Sequence, residues 1–537
     1  MYLNKGLVCF ATFFLLPFLG IGQRIYTPNS ILANGNWYKI SVEKTGIYKI
    51  DIPFLASLGI NTSGLASGSI RLYGNGGIML AEANNVPRLD DLTENAIQVV
   101  DGGDGVINGS DYILFYAIGP HEWVKDSANL RFIHRKNLYA DKAWYFLTVG
   151  GNGKRVQLTP ALASPSITVN SFSERIFHEL DTVNFLSSGK EWYGEEFTNA
   201  PGKTLTRTFT INIPNIINNT PLLLQSNCVA RSIGSGSRFD IRIDNQPVGQ
   251  QLINAVGGGQ YDLFVQQSTL LLSAIASQNN VNITYSYVPG SFNSQGWLNW
   301  FELFTRRQIS LNGVSQLSFR DWSSVGNINA AFIVNNATAG TQVWDVTDPL
   351  NPLRMQGAVS GTDYQFVNNC SVLKEYIAFN GTDFLIPAAA GKISNQNLHN
   401  TSPADFLIIT HPSLLSEAQR LAQFHLQYNG LKTVTVTTEQ VFNEFGSGSP
   451  DPAAIRDFVK MYYDKYVSNP ANKPRYLLLF GDASFDYKDR VSNNTNLVPA
   501  YQSSFSNDPL STYTSDDFFG FLEDDEDINS GLVVNDL

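Results

Sequence analysis

Residues 475–486 read RYLLLFGDASFD, and this stretch decides the fold class of the C-terminal part of the chain. Arg475 and Tyr476 lead into a continuous apolar run, Leu477 to Phe480, that stops at Gly481-Asp482. A run that apolar and that short fits a strand buried on both faces of a parallel sheet. In open parallel sheets, functional groups collect at the carboxyl ends of the strands. Asp482 and Asp486 lie there.

The residues before it have the matching period. Asp405 to Thr410, DFLIIT, is an apolar run of strand length. Ser413 is placed to cap a helix whose apolar positions are Leu414, Leu415, Ala418, Leu421, Ala422 and Leu426, with Gly430 as its stop. Lys432 to Thr437 is the next strand. Asp451 and Pro452 form an N-cap and first-turn pair. Behind them Ile455, Phe458, Val459, Tyr462 and Tyr466 make one helix face, and Arg456, Asp457, Lys460 and Lys465 the other. Strand, helix, strand, helix, strand predicts a parallel sheet with right-handed crossovers. It should begin near Ala404 and present an unfinished edge or an exposed apolar face.

Upstream, the pattern is β throughout. Asn36 to Ile50, NWYKISVEKTGIYKI, alternates polar and apolar residues around a Thr-Gly turn between two strands. Ile70 to Tyr73 and Tyr112 to Ala117 are strands. Leu205 to Ile213, Phe239 to Ile243, Val281 to Tyr287 and Ala331 to Val334 are further candidates, at a spacing that suggests a sandwich. Gly234-Ser235-Gly236 and Gly257-Gly258-Gly259 have no helical pattern behind them and are expected to be hairpin turns, not phosphate cradles. Asp101 to Asp111, DGGDGVINGSD, offers oxygens for calcium but lacks the start and the closing Glu of an EF-hand, which favours an ordinary Asp/Gly turn. His178 with Glu174, Glu179 and Asp181 does not have the His-Glu-x-x-His spacing, and in a strand these residues face opposite sides. Trp344-Asp345 with Thr347-Asp348 reads as a strand running into an Asx-type turn.

Composition sets the class. The chain has 537 residues, 43% of them hydrophobic and only 15% charged, with 43 glycines and a net charge of −11. The length suggests several domains. Low charge and many Gly, Ser and Asn suit secreted β-rich modules. No Lys/Arg stripe exists to neutralise phosphates, so nucleic acid is excluded as a partner. Met1 to Gly22 reads as a secretory signal, with Lys5, an apolar core from Leu7 to Leu19, and Gly20 and Gly22 before a mature start near Gln23. Cys9 lies in that core. Cys228 and Cys370 remain in the mature chain and are expected as two buried free thiols rather than a disulfide framework. The expected plan is a multidomain chain: a signal at 1–22, a β-rich domain at 23–165, a sandwich-like domain at 166–400, and the first half of an α/β parallel-sheet domain of the caspase/gingipain kind at 401–537.

With Thr514 to Leu522, TSDDFFGFL, the 475–486 stretch resembles the first half of the protease domain of the gingipain family of cysteine peptidases. Glu174 to Phe197, Val343 to Pro352 and Asn395 to His399 match, in order, the type IX secretion sortases of that family. The resemblance implies a cysteine-type peptidase and transpeptidase, exported and peripheral to the outer membrane at the cell surface. Its implied partners are type IX secretion components and exported proteins whose C-terminal sorting signals it removes. A cysteine peptidase needs a thiolate and a histidine within hydrogen-bond reach. In the family a His inside Gly-His-Gly and a later Cys supply them. Here no cysteine follows Cys370, and none of the six histidines is flanked by Gly on either side.

The catalytic pair is therefore expected beyond this chain. No catalytic or cofactor-binding residue is assigned, and the chain by itself is expected to be inactive. A catalytically silent truncated product, or an exported β-rich binding module, is the alternative. His411, before Pro412 at a strand end, is expected to cap or bond locally, and His425 to pack. Asp516 matches the aspartate of the family's Ser-Asp-x-x-aromatic-Gly segment, and Asp482 that of its Gly-Asp strand end. The cluster Asp516, Asp517, Glu523, Asp524, Asp525, Glu526 and Asp527 contains no basic residue. Its repulsion would be relieved by solvent, salt or a bound cation, calcium being the candidate.

Overall fold

The computed structural model describes residues 24–469, 471–526 and 528. The signal-like segment Met1–Gly22, the expected start at Gln23 and Asp527 lie outside them.

Both strands flanking Thr45-Gly46 form, but they do not pair with each other. Strand β1 (Trp37–Val42) runs between Ala143–Val149 and Ala388–Ile393, whereas Gly46–Asp51 pairs with Tyr112–Ala117. The chain turns from one sheet into another around a shared core that includes Ile40, Tyr48, Ile50, Phe115 and Leu147. A two-stranded hairpin, β2 (Glu122–Asp126) and β3 (Arg131–Arg135), projects from this unit and pairs only with itself. Its Phe132 packs with Phe304 of the following unit.

That unit is the sandwich. One sheet runs β4 (Ser171–Glu179), β5 (Gln295–Gln308), Pro221–Arg231, Gln266–Ile275; the other runs Thr206–Asn212, Asn280–Val288, Ser237–Ile243, Gln246–Ile253. Alternation turns Leu222, Leu224, Phe239, Ile241, Tyr285 and Phe301 into the space between them. The glycine clusters mark turns, yet hairpin turns they are not. Gly234–Gly236 joins Pro221–Arg231 to Ser237–Ile243, and Gly257–Gly259 joins Gln246–Ile253 to Gln266–Ile275, each pair lying in different sheets. A true hairpin turn sits at Asp244-Asn245, with φ of 48° and 67°. Cys228 and Cys370 are both free and buried.

Residues 309–380 build a further core around Phe319, Phe332, Val343, Phe366 and Tyr376. The sequence limit at 165 is not a break in the sheets, whereas among the described residues no ladder crosses 400. Gln157–Leu158 pairs with Leu353–Arg354, and β6 (Ala388–Ile393) completes the first sheet beside β1.

The chain then enters its α/β unit. β7 (Phe406–Thr410) lies centrally between β8 (Thr433–Thr437) and β9 (Tyr476–Phe480), all parallel. Helix α1 (Leu415–Asn429) links β7 to β8 and ends at Gly430, whose φ of 66° is the left-handed stop. Helices α2 (Thr438–Phe445) and α3 (Pro452–Tyr466) link β8 to β9. Phe406 and Ile408 meet Ala418 and Ala422 of α1 on one face; Leu407 and Ile409 meet Ile455, Phe458 and Tyr462 of α3 on the other. Asp451 caps α3, accepting from Ala453 N–H at 2.8 Å, with Pro452 in the first turn.

Two expectations change here. Ser413 does not cap α1: the chain first makes a short 3₁₀ turn, Pro412–Leu414, and His411 accepts from Ser413 N–H. β9 is not buried on both faces. It has a neighbour on one side only, Leu477–Phe480 are half-buried and Tyr476 is exposed. Among the described residues no helix is long and apolar enough to cross a membrane.

Candidate functional site

The three parallel strands end together, at Thr410-His411, Thr437-Thr438 and Phe480-Gly481-Asp482. The hydroxyl of Thr410 donates to the Phe480 carbonyl at 2.8 Å and ties two of these ends together. Beside them opens a cleft of about 290 Å³ whose wall includes Lys39, His411, Thr438, Phe442, Gly448 and Leu497. This is where the topology of a parallel sheet gathers ligands.

Lys39 comes from β1 of the first unit. Its ammonium donates to Asn443 Oδ1 at 2.8 Å and to the Gly448 carbonyl at 3.3 Å, and lies 4.5 Å from the centroid of the Trp144 ring. Burial lowers its pKa to about 8. Gly448 has a φ of +87°, and a Cβ there would stand 2.7 Å from Trp144 Cβ and 3.0 Å from Lys39 Cε. Only glycine lets this wall close.

His411 Nδ1 accepts from Ser413 N–H at 3.2 Å and lies 2.8 Å from Ser413 Oγ. In the neutral ring that acceptance puts the proton on Nε2. The cleft can thus offer hydrogen-bond donors from His411 and Lys39. It holds no thiol: Cys228 lies in the sandwich core and Cys370 in the core of residues 309–380. Burial pushes the Cys228 thiol up to about 12, away from nucleophilic use.

The two aspartates after β9 serve the loop. Asp482 accepts from Thr495 Oγ1 at 2.6 Å, and its carbonyl from Leu497 and Val498 N–H. Asp486 is fully buried and accepts from the N–H groups of Lys488, Arg490 and Val491 and from the Arg490 guanidinium. Arg490 reaches on to Asp181 at 3.1 Å and covers the Trp192 ring, docking the loop on the sandwich unit.

The acidic segment has a basic partner that the local sequence lacks. Lys460 on α3 lies 3.1 Å from Asp524 and donates to the Leu522 carbonyl at 2.6 Å. Glu526 accepts from Leu522 and Glu523 N–H, and Glu523 from the Tyr463 hydroxyl. Asp516 is pushed up by burial and by Asp517. In the Asp101–Asp111 loop, Asp101, Asp104 and Asp111 each accept from a nearby backbone N–H, the Asx pattern. Among the described residues no group of three or more His, Cys, Asp or Glu side chains is gathered as a metal cage.

The other histidines divide. His178 meets Glu195 at 2.7 Å, and Glu174 accepts from Arg307, so these side chains are engaged in structural contacts. His425 contacts Asn429 and packs edge-on to Phe406. His399 is the residue sequence reasoning missed. Its Nδ1 lies 2.7 Å from Glu444 Oε2 and its Nε2 3.1 Å from Asp90 Oδ1, with the side chain wholly buried. Although burial opposes its charge, the two carboxylates raise its pKa to about 9. It therefore clamps α2 to the first unit as a cation. A lone histidine before a strand has no sequence signal that announces this.

Residues 399–534 match the model of peptidase family C25. The chain is similar to the dimeric latent PorU of Porphyromonas gingivalis, with a TM-score of 0.80 at 25% identity over 94% of this chain and 47% of that one. It thus spans about half the length of that relative. A family 35 carbohydrate-binding module from Clostridium thermocellum matches 27% of the chain with 99% of its own, at 12% identity and a TM-score of 0.15, too low to inform this chain. No curated protein matches the sequence.

Proposed function

We propose that this chain, whose residues 399–534 match peptidase family C25 and which is similar to PorU along most of its length, forms the leading half of a type IX secretion sortase. The observation that carries the reading is the likeness along nearly the whole chain, β units and α/β unit together, rather than in one motif. In this reading the protein is exported and works at the cell surface. It cleaves C-terminal sorting signals from exported proteins and passes the acyl group to an acceptor on surface lipopolysaccharide.

In this reading the cysteine nucleophile and its histidine base are supplied by a longer product. This chain's share of the work is positional. β7, β8 and β9 align the strand ends, the first unit closes one wall of the cleft through Lys39, and β9 offers its free edge to a following strand. His411 orients through Nε2 but has no nucleophile to deprotonate.

The test is to read the coding DNA past Leu537 and assay both products on a peptide bearing a type IX sorting signal. A continuing frame with Gly-His-Gly and a later Cys, whose product cleaves while this chain alone does not, is the expected result. Cleavage by this chain alone that disappears in His411→Ala would overturn it.

A further inference from the structure

The outer face of the sandwich carries an inlet that the peptidase reading leaves unused. Across the β4–β5 ladder Phe177 pairs with Glu302 and Glu179 with Trp300. Period-two alternation puts all four on one face. Hairpin β2–β3 lays His134 over that face, its ring stacked on Phe177 with centroids 3.3 Å apart. One oxygen of Glu302 accepts from the His134 backbone N–H at 2.6 Å. The other, Oε2, is buried with no partner, and so is His134 Nε2. Glu302 is 3% exposed and the His134 side chain 4%. These residues line a cavity of about 30 Å³, enough for one small polar group. It shares His134, Glu179 and Trp300 with an open cleft of about 250 Å³ that Leu138 and Trp192 extend.

The polar atoms at the bottom are a carboxyl oxygen and a ring nitrogen, both unpartnered. Burial holds His134 neutral, at about 3, so its contact with Glu179 is not an ion pair. His134 Nδ1 lies 3.7 Å from Glu179 Oε2, beyond hydrogen-bond reach; in the tautomer with its proton on Nδ1 the neutral ring presents Nε2 as an acceptor. When ionised, Glu302 Oε2 can only accept. Burial pushes up both Glu302 and Glu179, the latter to about 7, as expected of carboxyls short of a cation. The chain's own nearby ammonium groups are engaged elsewhere. Lys136 donates to the Glu179 carbonyl at 2.9 Å and pairs with Asp181 at 3.1 Å, and Lys190 pairs with Glu82. A guest that answers two carboxylates and an imidazole acceptor must bring several N–H donors and a positive charge. Aromatic walls favour such a guest further.

We propose that this inlet receives a primary ammonium group, that of a lysine side chain, with the head in the small cavity and the stem along Leu138 and Trp300. A lysine-bearing segment of another polypeptide is the partner it fits. The site does not depend on the peptidase assignment.

The experiment is calorimetric titration of the full chain at pH 8 with Nα-acetyl-lysine methylamide, glycinamide and tetramethylammonium. The lysine probe should bind, glycinamide at least tenfold more weakly, and tetramethylammonium, which has charge without N–H, not at all. Glu302→Gln should weaken the lysine probe at least tenfold without lowering Tm, because its amide supplies the missing donor internally. Glu179→Gln, on the rim, is the second variant and should weaken binding similarly. Absence of heat from the lysine probe overturns the proposal, as does tetramethylammonium binding equally well or both variants binding like the parent. Glycinamide binding as tightly as the lysine probe overturns the lysine assignment.

Discussion

Replacing His399 tests whether the first unit and the α/β unit are held together by a buried cation. The ring lies flat on Phe445, at 4.8 Å and 7°, between Glu444 and Asp90. In His399→Ala, Glu444 keeps Leu398 N–H and Gln396 Nε2, and Asp90 keeps the backbone and hydroxyl of Thr27, but both lose the charge between them. Breaking a buried pair by removing one partner costs about 3–5 kcal/mol. The wild-type pH profile gives a second measure. A pKa raised from 6.5 to about 9 corresponds to about 3 kcal/mol, at about 1.4 kcal/mol per pH unit. The sign follows from the direction. The contribution is complete below about pH 6.5, declines as pH rises, and is gone once pH passes about 9. Because the chain has several cores, the assay is native-state hydrogen exchange at α2 and Leu398 rather than global unfolding. Local opening should become easier by about 3–5 kcal/mol in the variant at pH 6, and by about 3 kcal/mol in wild type between pH 6 and 9.5. A variant within 1 kcal/mol of wild type, or a flat wild-type profile, would refute the reasoning.

Glu179 should behave in the opposite sense. Burial chiefly, and Asp181 next, raise its carboxyl to about 7 against the opposing fields of Lys136, Lys488 and His178. Ionising it in the folded chain therefore costs stability that grows from about pH 4.5 and levels off above about 7, so Glu179→Gln should stabilise by up to about 3 kcal/mol at pH 8 and leave pH 4 unchanged, as read by native-state hydrogen exchange of β4. Gly448→Ala should lower the stability of the cleft wall by about 1–3 kcal/mol, since it needs positive φ and has Trp144 and Lys39 in the space of a Cβ; unchanged hydrogen exchange at α2 and Gly448 would count against that account.

Local signals placed the α/β unit well. An unbroken apolar run ended by Gly-Asp gave β9 its limits, and Asp451-Pro452 opened α3, because both effects act within a few residues. Distance along the chain hid the rest. Arg456, Asp457 and Lys460 form the polar side of α3, yet all three are buried, Asp457 against Arg24 and Arg88 and Lys460 against Asp524. No helical period can show that countercharges from so far away will cover that side. Gly234–Gly236 and Gly257–Gly259 announced turns, but not which sheet the next strand would join. Ala388–Ile393, AAAGKI, has neither alternation nor bulk, and only its pairing with β1 makes it a strand. The strand-end cleft was legible as a place, through the parallel topology. Its wall residue Lys39 was not, since it comes from another sheet.

The position of β6 has a consequence for how the chain folds. Trp37 pairs with Ile393, so one flank of β1 stays open until a distant part of the chain docks. Some 240 residues separate Val149 from Ala388, so that flank waits on a long loop closure rather than on a neighbouring strand. An unpaired row of amides and carbonyls in the interval invites pairing with other chains. The first sheet is thus begun early and completed late, and during folding it depends on whatever keeps β1 covered until its own strand arrives.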